Sequence, residues 1–90
     1  MSDIRKTKMY DLNGTLINLY EVKEFKKEYE EEPFPQFGYY GILVLTIDNG
    51  DLVKTLKFKI GKKESSLDDA YRHVLDKMDE MKRLIENLEW

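Results

Sequence analysis

The chain has no cysteine and a single histidine, His73, among its 90 residues. Without cysteine it can build no disulfide bond, no thiolate metal site and no cysteine nucleophile, and a reducing cytoplasmic environment suits it. One imidazole is too few for the usual transition-metal sites, so we expect neither a metal nor a cofactor. His73 follows Asp69 by four residues, and on a helix this spacing predicts a surface pair.

Proline is scarce and long apolar runs are absent. Pro33 and Pro35 both fall in residues 30–38, where the missing N–H and the restricted preceding residue predict a loop, with Phe34 and Phe37 expected to pin it to the core. The most apolar run, residues 39–45, is far too short to cross a bilayer, and the first eight residues lack the apolar stretch of a signal peptide. We therefore expect no contact with membranes.

The composition indicates one folded domain spanning residues 1–90. Hydrophobic residues make up 41% and charged residues 37% of the chain, which differs from the composition of disordered segments. The formal charge of −3 argues against a dedicated binder of phosphate backbones. Residues 21–32 hold six Glu and three Lys, whereas residues 52–63 hold five Lys and no acid. Separate acidic and basic faces are therefore expected.

The clearest pattern predicts a long helix over residues 67–89. Apolar residues recur there at alternating steps of three and four, which keeps them on one side of a helix. Ser65 and Ser66 each precede an aspartate by three residues, as expected of an N-terminal cap. The stripe consists of Leu67, Tyr71, Val74, Met78, Met81, Ile85 and Leu88, and Ala70, Leu75 and Leu84 are expected to widen it.

Asn13-Gly14 predicts a first β-hairpin between residues 4–12 and 15–22, since this pair tolerates positive φ at both central positions of a tight turn. A two-residue loop would place Tyr10 opposite Ile17, and a three-residue loop would place it opposite Leu16. The sequence leaves this register open.

Residues 21–32 fit two structures. Leu19, Val22, Phe25 and Tyr29 have helical spacing, with Asn18 and Glu21 as a possible capping box. The alternating residues YEVKEFK also suit an exposed edge strand. We predict a strand to about residue 27, followed by irregular chain, and the helix remains the alternative.

A second hairpin is predicted from residues 39–47 and 52–60, which flank Asp48-Asn49-Gly50-Asp51. With Asp48 opposite Asp51, one face is almost wholly apolar and suits the helix. The fold expected is therefore α+β: a two-layer, four-stranded antiparallel meander with two Asn-Gly hairpins, covered on one face by the C-terminal helix (ββββα). The other face is mixed, since Tyr40, Ile42 and Val44 lie there among lysines and threonines.

Residues 10–17, YDLNGTLI, resemble the first motif of haloacid dehalogenase-type phosphatases, in which one Asp is the nucleophile and a second is the acid/base. By that resemblance Asp11 would attack phosphorus, but the acid/base position is Asn13, whose amide cannot transfer a proton. An Asn-Gly turn accounts for the same residues. Because no other catalytic constellation is present, we expect the protein not to be an enzyme.

The sequence therefore favours a small protein-interaction module that forms a homodimer and binds another macromolecule, with a size and charge typical of phage or plasmid inhibitors. The mixed sheet face and the helix end, which is expected to extend beyond the sheet, supply its surface. The alternative is binding of a nucleotide or single-stranded nucleic acid by Tyr39, Tyr40 and Phe58 beside Lys57, Lys59, Lys62 and Lys63. The candidate interface residues are Tyr40, Ile42, Val44, Val53, Lys57, Lys59, Ile85, Leu88 and Trp90.

Overall fold

A computed structural model of the chain describes residues 6–89 and has an α+β fold. Three long strands form an antiparallel sheet in the order β3-β4-β5, and two short strands, β1 and β2, form a separate antiparallel pair. The C-terminal helix α1 packs on the three-stranded sheet. The elements are β1 (Met9–Leu12), β2 (Thr15–Asn18), a 3₁₀ turn (Leu19–Glu21), β3 (Val22–Glu32), β4 (Gly38–Asp48), β5 (Val53–Glu64) and α1 (Leu67–Glu86).

The predicted four-stranded meander is wrong because the 3₁₀ turn divides its second strand into β2 and β3. Asn18 caps this turn: its Oδ1 accepts a hydrogen bond from the Tyr20 amide at 3.2 Å, and its Nδ2 donates to Glu21 Oε2 at 3.3 Å. The two residues of the possible capping box thus form one turn instead of a helix. Beyond it the chain is a strand, as predicted, and it runs to Glu32 instead of ending near residue 27.

The first hairpin has the two-residue loop, since Tyr10 pairs with Ile17 and the turn residues Asn13 and Gly14 have φ of 51° and 87°. Hydrogen bonds attach the hairpin to β5 and to α1. Asn13 Nδ2 donates to the Lys59 carbonyl oxygen at 2.7 Å, and the Tyr10 hydroxyl donates to the Glu80 carboxylate of α1.

Tyr10 therefore lies in a polar contact with α1, in which Lys77 Nζ also donates to its hydroxyl oxygen at 3.0 Å. Burial raises the pKa of Tyr10, and the hydrogen bond to Glu80 adds to this effect. The same hydrogen bond lowers the pKa of the Glu80 carboxyl, because it stabilises the ionised form.

The second hairpin confirms the predicted faces but not the predicted register. Asp48 pairs with Val53 instead of Asp51, so the loop has four residues, Asn49–Leu52. The cause is side-chain hydrogen bonding in the turn, where Asn49 Oδ1 accepts from the amides of both Asp51 and Leu52 at 2.9 Å. Since the register is shifted by two residues, every side chain stays on its predicted face.

The core lies between the three-stranded sheet, α1 and the first hairpin. Its buried members come from all three parts, which explains why the two-stranded hairpin is stable on this side of the sheet. They are Leu12, Ile17, Leu19, Val22, Leu43, Leu45, Ile47, Ile60, Val74, Met78 and Met81.

Helix α1 begins at Leu67 as predicted, and its cap is Ser66, whose Oγ accepts from the Asp69 amide at 3.2 Å. It ends at Glu86, earlier than predicted. Ala70 is buried as expected, but Leu75 and Leu84 are exposed, so the stripe is narrower than predicted. No helix within residues 6–89 is both long enough and apolar enough to span a membrane.

His73 pairs with a different acid from the one predicted. Its Nε2 lies 2.6 Å from Glu64 Oε2 at the end of β5, whereas Asp69 is 4.0 Å from Arg72. The imidazole fits against Gly61, where a Cβ would lie 2.5 Å from the ring. With φ of 77°, Gly61 lies where the β4–β5 register shifts, so the bulge makes room for the ring.

Candidate functional site

One side of the three-stranded sheet, termed the open face here, is turned away from the core. Val44 of β4 is only 4% exposed but is not part of the core, because α1 and the first hairpin pack on the opposite side. Strand alternation brings six of the predicted interface residues together on the open face. They are Tyr40, Ile42, Val44, Val53, Lys57 and Lys59.

A row of ion pairs crosses the open face. Glutamates of β3 reach over the central strand β4 to lysines of β5, with separations of 3.2 Å for Glu28–Lys57, 2.7 Å for Glu30–Lys59 and 3.0 Å for Glu32–Lys63. We call these three pairs the ion-pair ladder. The hydrogen bond to Glu30 raises the pKa of Lys59. The Glu28–Lys57 and Glu30–Lys59 pairs are exposed to solvent, so each contributes little to stability, whereas Glu32 and Lys63 are half-buried.

The apolar residues of the open face lie between these charges. Val44 has Lys26 and Lys57 as its cross-strand neighbours, whose aliphatic stems can cover it. Ile42 is half-buried and lines a shallow groove of about 390 Å³. Tyr40 lies under Lys59, whose Nζ is 4.5 Å from the ring centroid. The open face therefore combines a recessed apolar strand with two charged borders.

The other three predicted interface residues do not join this face. Ile85 and Leu88 are half-buried and pack against the core of their own chain, so the helix end does not extend freely beyond the sheet. This end is also held by hydrogen bonds from Lys6 Nζ and the Tyr20 hydroxyl to the Glu89 carbonyl oxygen, at 2.9 and 2.8 Å. Trp90 lies outside the described residues.

The residues considered for nucleic-acid binding are divided between the two sides of the sheet. Tyr39 and Phe58 face α1, whereas Tyr40 lies on the open face with Lys57 and Lys59. Both of these lysines are already paired with glutamates. A phosphate would have to compete with those carboxylates, which weighs against this alternative.

A chain of aromatic rings, which no sequence pattern indicated, lies at the end of the sheet where a loop joins β3 to β4. Edge-to-face or stacked contacts link neighbouring rings, with centroid separations of 5.2 to 6.2 Å. We call this chain the aromatic ridge. Its members, in spatial order, are Phe34, Phe37, Tyr39, Tyr29 and Tyr71.

Two members of the aromatic ridge are exposed, Phe34 at the loop end and Tyr29 beside Tyr71. Phe34 is 84% exposed and Tyr29 is 50% exposed, so the prediction that Phe34 packs on the core is wrong. Phe34 touches Phe37 in a stacked contact, with the centroids 5.3 Å apart. At the other end Lys27 Nζ lies 4.7 Å from the Tyr71 centroid. Only the placement of Phe34 between two prolines could have suggested its exposure.

Within residues 6–89 no group of three or more His, Asp or Glu side chains is arranged to hold a metal ion. Comparisons with protein-family models, curated proteins and solved structures returned no match. We therefore infer a function from the surfaces of this chain alone.

Proposed function

We propose that this protein is a small non-enzymatic interaction module, and that it works as a homodimer whose aromatic ridge binds another protein. The observation that carries the proposal is the exposure of Phe34, which is 84% exposed although it belongs to a contiguous set of rings. Contiguous exposed apolar surface is uncommon on proteins without a partner. Inhibition of the bound partner and a cytoplasmic location belong to the same proposal.

Rings of this kind suit protein binding because each carries a large apolar area on few rotatable bonds. Contacts with neighbouring rings already restrict the members of the ridge, so little further side-chain entropy is lost when a partner covers them. Full burial of one such ring contributes about 1.5–3 kcal/mol, which corresponds to roughly a 10- to 100-fold change in affinity.

The test is affinity capture from the native host, followed by calorimetric titration of the purified captured protein. Phe34→Ala should weaken the binding of that protein by roughly 10- to 100-fold. The matched control is Leu16→Ala, since Leu16 is also exposed, at 64%, but lies on β2 away from the ridge. Equal affinities of Phe34→Ala and wild type for every captured protein would refute the proposal.

A further inference from the structure

The open face has a charge pattern that restricts how two copies can meet. The border formed by β3 carries four glutamates and one lysine, Lys26, whereas the border formed by β5 carries three lysines and no acid. The face is therefore polarised across the strands, with its negative side at β3 and its positive side at β5. Two such faces attract only when opposite borders meet.

The direction of the two-fold axis decides which borders meet. An axis perpendicular to the strands, in the plane between two stacked sheets, would place β3 over β3 and β5 over β5. An axis parallel to the strands places β3 of each copy over β5 of the other, and β4 over β4. Only the parallel axis brings the glutamates of one copy next to the lysines of its partner.

We propose that two copies of this chain stack through their open faces about a two-fold axis parallel to the strands. The half-buried Ile42 and Tyr40 of the two central strands then meet at the centre, and each glutamate of the ladder lies between its own lysine and one from the second copy. Lys26 is the exception, since it lies in the same row as Lys57. The strands of two stacked sheets usually cross at an angle of about −30°. This rotation moves Lys26 of one copy away from Lys57 of the other.

This arrangement deepens the homodimer included in the proposed function and rests on it. The axis parallel to the strands brings both loops 33–37 to the same end of the dimer, so the two aromatic ridges lie side by side. A partner could then engage both ridges at once, which raises its apparent affinity beyond that of one ridge.

The size of the face predicts a weak dimer. The open face is three strands wide, with the strands about 4.8 Å apart. A strand of 11 residues at about 3.3 Å per residue sets its length, so its area is roughly 500 Å². Standard stable interfaces bury about 800 Å² per partner. We therefore expect a dimer that forms only at high protein concentration, and weaker association as salt screens the borders.

The test exchanges the charges of the two borders. The lysine variant (Lys57→Glu, Lys59→Glu) makes both borders acidic, and the glutamate variant (Glu28→Lys, Glu30→Lys) makes both basic. By analytical ultracentrifugation at up to about 1 mM protein, each should be monomeric alone, and an equimolar mixture should form a heterodimer. The matched control, Lys8→Glu with Lys54→Glu, changes the net charge equally but lies off the open face and should dimerise like wild type.

A wild-type chain that stays monomeric at this concentration, or a lysine variant that dimerises as well as wild type, would overturn the proposal. The second outcome would indicate that the copies meet through another surface. A mixture of folded variants that remains monomeric would also refute it. Should either variant fail to fold, as judged by circular dichroism, spin labels on wild-type protein carrying Gln36→Cys decide the arrangement.

The labelled residue is the only cysteine, so one distance is measured per dimer. Labels at the same end should lie roughly 20 Å apart or less, given sheets about 10 Å apart. A distance beyond roughly 35 Å, about one strand length, would exclude the parallel axis. Loss of the dimer with Phe34-dependent capture intact would refute this inference and the homodimer of the proposed function but leave ridge binding standing, whereas an intact dimer without that capture would refute only ridge binding.

Discussion

Gly41 determines how closely α1 approaches the sheet, and its replacement by alanine should destabilise the fold strongly. A Cβ at Gly41 would overlap the Ala70 carbonyl oxygen and lie 2.5 Å from Val74 Cγ2. A carbonyl oxygen of the helix backbone cannot rotate aside as a side chain can, so α1 must move away from β4 as a unit. The displacement loosens Ala70 and Val74, both of which are 0% exposed.

The magnitude follows from two opposing effects of Gly41→Ala. Overpacking a close-packed core costs about 1–3 kcal/mol, and the poorer packing of the displaced helix adds to this cost. The reduced freedom of the unfolded chain offsets about 0.4–1 kcal/mol. We expect the free energy of unfolding to fall by about 2–3 kcal/mol, which for a domain of this size lowers Tm by roughly 10–20 °C. Urea unfolding, followed by far-UV circular dichroism, measures the free energy of unfolding.

Gly38→Ala is the matched control, because it makes the same change on the same strand. A Cβ at Gly38 would meet Lys63 Cγ at 2.5 Å and Cδ at 2.7 Å, atoms of a flexible side chain that can move, and the Glu64 carbonyl oxygen at 3.1 Å. We expect a loss below about 1 kcal/mol. A Gly41→Ala variant that lies within about 0.5 kcal/mol of wild type, or that costs no more than the control, would show that α1 is not held at Gly41.

The same substitution should also affect the aromatic ridge. Gly41 pairs with Tyr29 across the β3–β4 ladder, and Tyr29 contacts Tyr71 of α1 at a centroid separation of 6.2 Å. A displaced helix therefore separates these two rings, so Gly41→Ala should weaken partner capture as well as stability.

Two further substitutions test the contact that joins the first hairpin to α1 and the side-chain hydrogen bonds within the loop of the second hairpin. Tyr10→Phe should lower the free energy of unfolding by about 1 kcal/mol at pH 7. Because the Tyr10 hydrogen bond lowers the pKa of Glu80 in the fold, this difference should be present above the unfolded pKa of about 4.3 and disappear as the pH falls through the lower folded value. Urea unfolding of Tyr10→Phe and wild type at pH 2 and pH 7 measures this difference. An equal difference at the two pH values would contradict the role of the Glu80 hydrogen bond. Asn49→Ala, which removes the acceptor of two turn amides, should cost about 1 kcal/mol in the same assay, and an unchanged midpoint would contradict the role of that side chain.

Local patterns were sufficient for much of the fold, because they depend on neighbours in the chain. The Ser66 cap and the apolar spacing after it predicted where α1 begins and which side it buries. Alternation along β4 and β5 predicted both faces, although the register was wrong by two residues. An even shift leaves every side chain on its face, which is why the composition of the open face was right.

The sequence alone thus determined the two hairpins, the start of the helix and the two faces of β4 and β5, since these follow from side-chain period and turn chemistry, whereas it left residues 21–32 open between strand and helix. The pairing of Glu28 with Lys57 and of Glu64 with His73, and the assembly of the ridge, were decided by tertiary structure. These features join residues from different strands, loops and α1 that are distant in sequence. Gly41 lets α1, which carries Tyr71 of the ridge, approach β4, and Gly61 makes room for the His73 ring. No local spacing encodes these close approaches.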